Sequence, residues 1–169
     1  LYNNGERVNS NDYVYFEETT PGQENGSEEF LGVLISEVIF SHNAGILESP
    51  ISLVLEAGED EYIRYTKDRT EPNSSSILYE EPITVDVNTI IRAKAYKSDF
   101  ISAYSTTRSY FFNVSHEIPF VSLVTDPYNL FDNDYGIYVY GDDYEPGYPH
   151  MGANFWEDWE RSINFSLYS

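Results

Sequence analysis

Apolar and polar positions in the middle of this chain alternate with a period of two. In Ile91-Arg-Ala-Lys-Ala95 that period puts Ile91, Ala93 and Ala95 on one side of a strand and Arg92 and Lys94 on the other, toward water. Small alanines on the inner side imply close approach of an opposing sheet. Ile51-Ser-Leu-Val-Leu-Glu56 likewise places Ile51, Leu53 and Leu55 on one face. Further strands are predicted at Val38–Phe40, Tyr62–Thr66, Pro82–Val87, Thr89–Tyr96 and Thr106–Asn113, with polar turns at Ser41–Gly45 and Gly58–Glu61. Runs at roughly 8–12-residue spacing, with turn residues between them, predict two facing antiparallel layers. No long segment keeps a 3.6-residue apolar stripe, so the fold class is all-β.

The flanks have a different texture. Residues 1–30 offer one strand, Tyr13–Phe16, and then a linker composition over Thr19–Ser27. Asn3-Asn-Gly5 suits a hairpin turn if a strand precedes Leu1. From His116 onward the pattern predicts a strand at Pro119–Val124 and a helical turn opened by Asp126, with Pro127 at its first position. A turn at Asn133–Gly136 follows. Next come a strand at Ile137–Tyr140, which puts Tyr138 and Tyr140 on one face, a Gly/Pro/Tyr-rich loop, and a last strand at Ser162–Tyr168. Charge supports this division. Residues 1–30 carry seven acids and one base, residues 31–115 twelve and seven, and residues 116–169 ten and one. Three segments, 1–30, 31–115 and 116–169, are therefore expected.

The formal charge of the 169-residue chain is -20. That excludes ordinary nucleic-acid binding, which depends on Lys and Arg neutralising phosphates, and argues against an anionic membrane surface as partner. Aromatic residues make up 17% of the chain, sixteen of them tyrosine, enough for a core and favourable to strands. There is no cysteine, so neither disulfides nor thiol chemistry arise. No apolar run approaches the roughly 20 residues that span a bilayer. The chain starts at Leu1 without a signal peptide, and it is expected to be an excised or processed piece.

Several ordered motifs resemble known families. Phe40-Ser, Gly45, the Tyr65-Thr-Lys-Asp turn, Tyr79-Glu-Glu-Pro-Ile83 and Ile91-Arg-Ala-Lys-Ala-Tyr96 fall where the chitobiase/β-hexosaminidase C-terminal-like module has equivalents. That resemblance covers Val38 to Phe112 and implies an immunoglobulin-like antiparallel β-sandwich, to which a small β-rich C-terminal segment is added. It departs at Arg69, where the family has a glycine, a residue that often marks positive φ. Pro119–Leu123, Asn129–Asp132, Gly136–Val139 and Trp159–Arg161 resemble, in order, the opening strands of the spore-coat protein H (CotH) kinase-like family; Ser162 stands where proline is usual. Thr20–Asn25 is similar to the closing Thr-Pro-Gly-x-x-Asn of the bacterial lamin-tail-like domain. Together these imply a secreted or surface-attached bacterial protein, extracellular, whose partner is the rest of the parent CotH-like protein.

Little chemistry is legible. There is no Gly-rich phosphate loop and no lysine beyond position 97, so phosphoryl transfer lacks its cation; the expected catalytic set is none, and so are the expected metal and cofactor. His42, His116 and His150 lie far apart, as turn or surface residues do. Asp132-Asn-Asp-Tyr-Gly136 looks like the start of a calcium loop, but its twelfth position is the short acid Asp143. The preferred role for Asp132 and Asp134 is to cap and turn the chain. Arg161 is expected to pair with Glu157 or Glu160. Trp156 and Trp159, with Tyr138, Tyr140, Tyr144 and Tyr148, could form a carbohydrate-binding platform on a chitin- or plant-type polysaccharide, and Tyr144, Tyr148, Trp156 and Trp159 are the candidates picked from that set. The two tryptophans are expected to share a helical turn, with one entering the core. The expected function is a non-catalytic scaffold or spacer. A carbohydrate-binding module and part of a secreted kinase with its catalytic residues elsewhere are the alternatives.

Overall fold

The computed structural model describes residues 2–3, 6–7, 15–16, 30–114 and 118–168. The lamin-tail-like stretch Thr20–Asn25, the first half of the predicted strand at Tyr13–Phe16, and His116 lie outside these residues. In the first segment β1 (Tyr2–Asn3) pairs antiparallel with β2 (Glu6–Arg7), Tyr2 opposite Arg7. The hairpin expected around Asn3–Gly5 thus uses Tyr2–Asn3 itself and needs no strand before Leu1. Tyr15 and Phe30 form an isolated antiparallel bridge.

The middle segment is a two-layer sandwich. Its strands are β3 (Gly32–Leu34), β4 (Ile39–Phe40), β5 (Gly45–Leu47), β6 (Ile51–Leu53) and β7 (Leu55–Glu56). They continue with β8 (Tyr62–Thr66), β9 (Ile77–Leu78), β10 (Ile83–Val85), β11 (Thr89–Tyr96), β12 (Phe100–Ser102) and β13 (Ser105–Phe112). One layer is the five-stranded sheet β5-β13-β11-β8-β9; the pairs β4-β7 and β6-β10 belong to the facing layer. Strands β6 and β7 are one run bent at Val54, whose N–H and C=O turn aside to the Ser41 hydroxyl and Ser41 N–H. The bend lets a single run pair with β10 on one stretch and β4 on the next. Most ladders are antiparallel; β5 on β13 and β3 on β12 are parallel exceptions.

The period-two reading of β11 holds on its inner side. Ile91, Ala93 and Ala95 are fully buried with Leu53, Leu55, Ile63, Ile83, Val85 and Tyr110 in one apolar cluster. It fails on the outer side. Arg92 and Lys94 do not stand in water: both reach Glu71 on the β8–β9 connection, and Arg92 also donates to the carbonyl of Arg69. A long loop folded over the sheet makes that face an ion-pair cluster rather than a wet surface.

On β13 both faces are covered, with Thr106, Thr107, Ser109 and Tyr110 all buried. The inner face meets the core. The outer face lies under a hairpin of β14 (Phe120–Val124) and β15 (Asn164–Tyr168), paired from Phe120↔Tyr168 to Val124↔Asn164. Phe111 packs edge-on against Phe120 and Tyr168, which stack on each other, and the Ser109 and Ser122 hydroxyls lie 3.3 Å apart. The opposite face of this hairpin carries Val121, Leu123, Phe165 and Leu167, all exposed.

After β14 comes α1 (Pro127–Phe131), begun as expected: the Asp126 carboxylate caps Tyr128 N–H, and Pro127 opens the first turn. The strand expected at Ile137–Tyr140 does not form. Ile137 and Tyr138 instead donate their N–H groups to the carbonyls of Asn129 and Leu130 at the end of α1, so the chain turns back to satisfy a short helix. Nor do Trp156 and Trp159 share a turn. A 3-10 helix spans Asn154–Trp156 and stops as Glu157 turns extended; both indoles stay on the surface.

Candidate functional site

Two places concentrate side chains suited to binding. The first is an aromatic surface built by the loop after α1. That loop is pinned from inside by Asn154, which is buried and whose Nδ2 donates to the carbonyls of Asn133 and Gly136 at 2.8 and 3.0 Å. Gly141, at φ +72, is the position that lets Asn154 in: a Cβ there would stand 2.0 Å from Asn154 Oδ1. Around this peg Tyr140 packs against Tyr144, His150 and Phe155, with ring centroids 4.8, 4.9 and 5.6 Å away. Phe155 touches Trp156, whose Nε1 donates to the carbonyl of Pro149. Tyr138, Val139, Tyr140 and Phe155 line a hollow of about 460 Å³.

The four aromatic residues picked from sequence divide between places. Tyr144, 38% exposed, and Trp156 belong to this cluster, whereas Tyr148 projects into solvent at 94% exposure. Trp159 lies elsewhere, beside Arg161. The Arg161 guanidinium covers the Tyr135 ring at 3.6 Å and approaches Trp159 at 5.1 Å, while its Nε donates to the carbonyl of Tyr135. Among the described residues Arg161 makes no ion pair with Glu157 or Glu160. A planar cation gains more from a ring face and a carbonyl than from flexible, solvated acids. Phe155 was missed by the sequence reading because only tryptophans and tyrosines were weighed as sugar contacts; Tyr140, weighed with them, is the ring at the centre of the cluster.

The second place is a cleft of about 780 Å³ on the seam between sandwich and C-terminal segment. Arg92, Ser105 and Tyr104 line it from the sandwich; Tyr128, Tyr135 and Asn164 line it from the other side. Its floor is the cluster around Glu71, whose carboxylate takes Arg92, Lys94 and the Ser105 hydroxyl. Tyr128 and Tyr135 stack with centroids 5.1 Å apart. Asp126 joins the two walls: one carboxylate oxygen caps α1, and the other accepts the Glu71 N–H at 2.7 Å. Apart from the Asp126 cap, none of these contacts was legible in sequence, since positions 71 and 126 are brought together only by docking.

The acidic turn at Asp132 is self-satisfied. Asp132 Oδ1 accepts the N–H groups of Asp134 and Tyr135, as the capping role requires, and Asn133 Nδ2 bonds Asp142 Oδ1. Among the described residues no three His, Cys, Asp or Glu side chains gather as metal ligands. His42 touches the Ser41 hydroxyl, and His150 the carbonyl of Glu145.

One turn of the sandwich bears on kinship. Arg69 has φ +76, the conformation a glycine would supply, and the Asp68 carboxylate closes the turn by accepting the hydroxyl and N–H of Thr70. Those bonds hold the Asp68 carboxyl below its ordinary value. The turn therefore keeps its shape although arginine replaces the glycine.

Residues 42–107 match the chitobiase/beta-hexosaminidase C-terminal domain. The match spans β5 to β12 and the first residues of β13, so the likeness lies within the sandwich, and the segment from β14 onward is outside it. No curated protein and no solved structure matches the chain.

Proposed function

We propose that the chain is a non-catalytic extracellular spacer within a secreted or surface bacterial protein of CotH type. In this reading the chitobiase C-terminal-type module holds the segment after it in a set position. The observation that carries the reading is the seam. One carboxylate, that of Asp126, binds backbone N–H groups on both sides, and Phe111 of the module fits against Phe120 and Tyr168 of the hairpin. A loosely strung pair of modules has no use for such a joint, because inter-domain motion is the default where interfaces are small and polar. The CotH part rests on the resemblance of Pro119–Leu123, Asn129–Asp132, Gly136–Val139 and Trp159–Arg161. Residual dipolar couplings test the spacer role. A single alignment tensor for residues 38–112 and for the hairpin is expected, whereas two independent tensors would remove the basis for it. Incubation of this chain with ATP and Mg²⁺ should yield no phosphoryl transfer; turnover by the full-length parent, but not by this chain, would favour the kinase alternative.

A second reading, carbohydrate binding at the aromatic surface, is favoured by the solvent-facing rings of Tyr148 and Trp156. Retention on insoluble chitin or cellulose, lost on Trp156→Ala, is its expected result.

A further inference from the structure

The geometry points to the seam cleft as a binding site for a neutral, polyhydroxylated ligand, a short oligosaccharide, distinct from the aromatic surface around Trp156. This shares its ligand class with the second reading above but stands without it. At about 780 Å³ the cleft falls within the roughly 300–1,000 Å³ of small-molecule sites. Tyr104 on one wall and Tyr128 on the other are both more than half exposed, and both line the opening. Phenol rings offer apolar faces to C–H surfaces and a hydroxyl at the rim. Between them stand groups that both donate and accept, the Ser105 and Thr107 hydroxyls and the Asn164 amide. A ligand that alternates C–H faces with hydroxyl edges meets both kinds of surface at once.

Charge selects against anions. The lining holds one cation, Arg92, against two carboxylates, Glu71 and Asp126, and Arg92 is already spoken for by Glu71.

The test is a titration of the ¹⁵N-labelled chain with cellotetraose and chitotetraose, with a short polygalacturonate as the anionic control. Saturable shifts at Ser105, Thr107 and Asn164 with a neutral sugar are expected, with none for the control. Tyr104→Ala and Tyr128→Ala should each weaken binding about tenfold, while Trp156→Ala leaves it unchanged. Both tyrosines are largely exposed, so either variant should keep the native spectrum, and one folded variant suffices. No saturable shift with either neutral sugar overturns the inference. So do shifts confined to the Trp156 surface, an outcome that would leave the second reading standing alone, and tighter binding of the polygalacturonate.

Discussion

Arg69 shows how a single residue can hold a conformation that suits it badly. At φ +76 an arginine pays the left-handed steric penalty that glycine avoids, yet its carbonyl is needed where it is, accepting from Arg92. Replacing it by glycine keeps that carbonyl and relieves the strain. Arg69→Gly is expected to raise Tm by roughly 2–4 °C, read by calorimetry; a lower Tm would mean the side chain contributes more than its backbone costs. Tyr110 is the other residue whose chemistry reaches the whole fold. Fully buried, it donates to the carbonyl of His42, and burial lifts its pKa from 10.0 to about 12. A folded-state pKa above the unfolded one stabilises the fold below pH 10, and that contribution is lost as pH rises toward about 12. Tyr110→Phe should therefore cost about 1 kcal/mol at neutral pH, from the orphaned carbonyl, and should flatten the alkaline fall in urea-denaturation midpoint.

At the scale of elements, β11 was the most legible part of the chain because a buried face and an alternating face write the same period. Ala93 lies opposite Thr106 on β13 and Tyr65 on β8 and has no exposed surface. Ala93→Leu should overpack it at a cost of about 1–3 kcal/mol, measured by chemical denaturation. What sequence did not convey was whatever depended on a neighbour distant in the chain. The polar side of β11 reads as solvent-facing until the Glu71 loop is seen lying across it. Ile137–Tyr140 has strand composition, but the free carbonyls of α1 claim its N–H groups first. Of the candidate aromatic cluster, composition pointed to the loop and to Tyr140, Tyr144 and Trp156, while Tyr148 and Trp159 lie outside it. It could not reveal the peg beneath, because an asparagine in a polar loop looks like any other. Asn154→Ala should cost about 1–3 kcal/mol by orphaning two carbonyls and should speed amide exchange over residues 133–154 while sparing β11. Uniform acceleration throughout would show that the loop has no stability of its own.

For the whole molecule the decisive contact is again one side chain. Asp126→Ala removes a helix cap and the only described hydrogen bond to the Glu71 N–H, and should cost about 1–2 kcal/mol. Beyond the stability change, it should broaden the small-angle scattering profile as the hairpin swings from β13. An unchanged profile would place the stiffness in the aromatic contacts alone.

The outward side of that hairpin has a practical corollary. Val121, Leu123, Phe165 and Leu167 present an oily strip to solvent on a molecule whose excess of twenty negative charges keeps its copies apart. Acidify toward the isoelectric point near 4.2, and that repulsion fades while the strip remains. Clouding of concentrated samples should begin there, strip to strip, before any strand of the sandwich has opened.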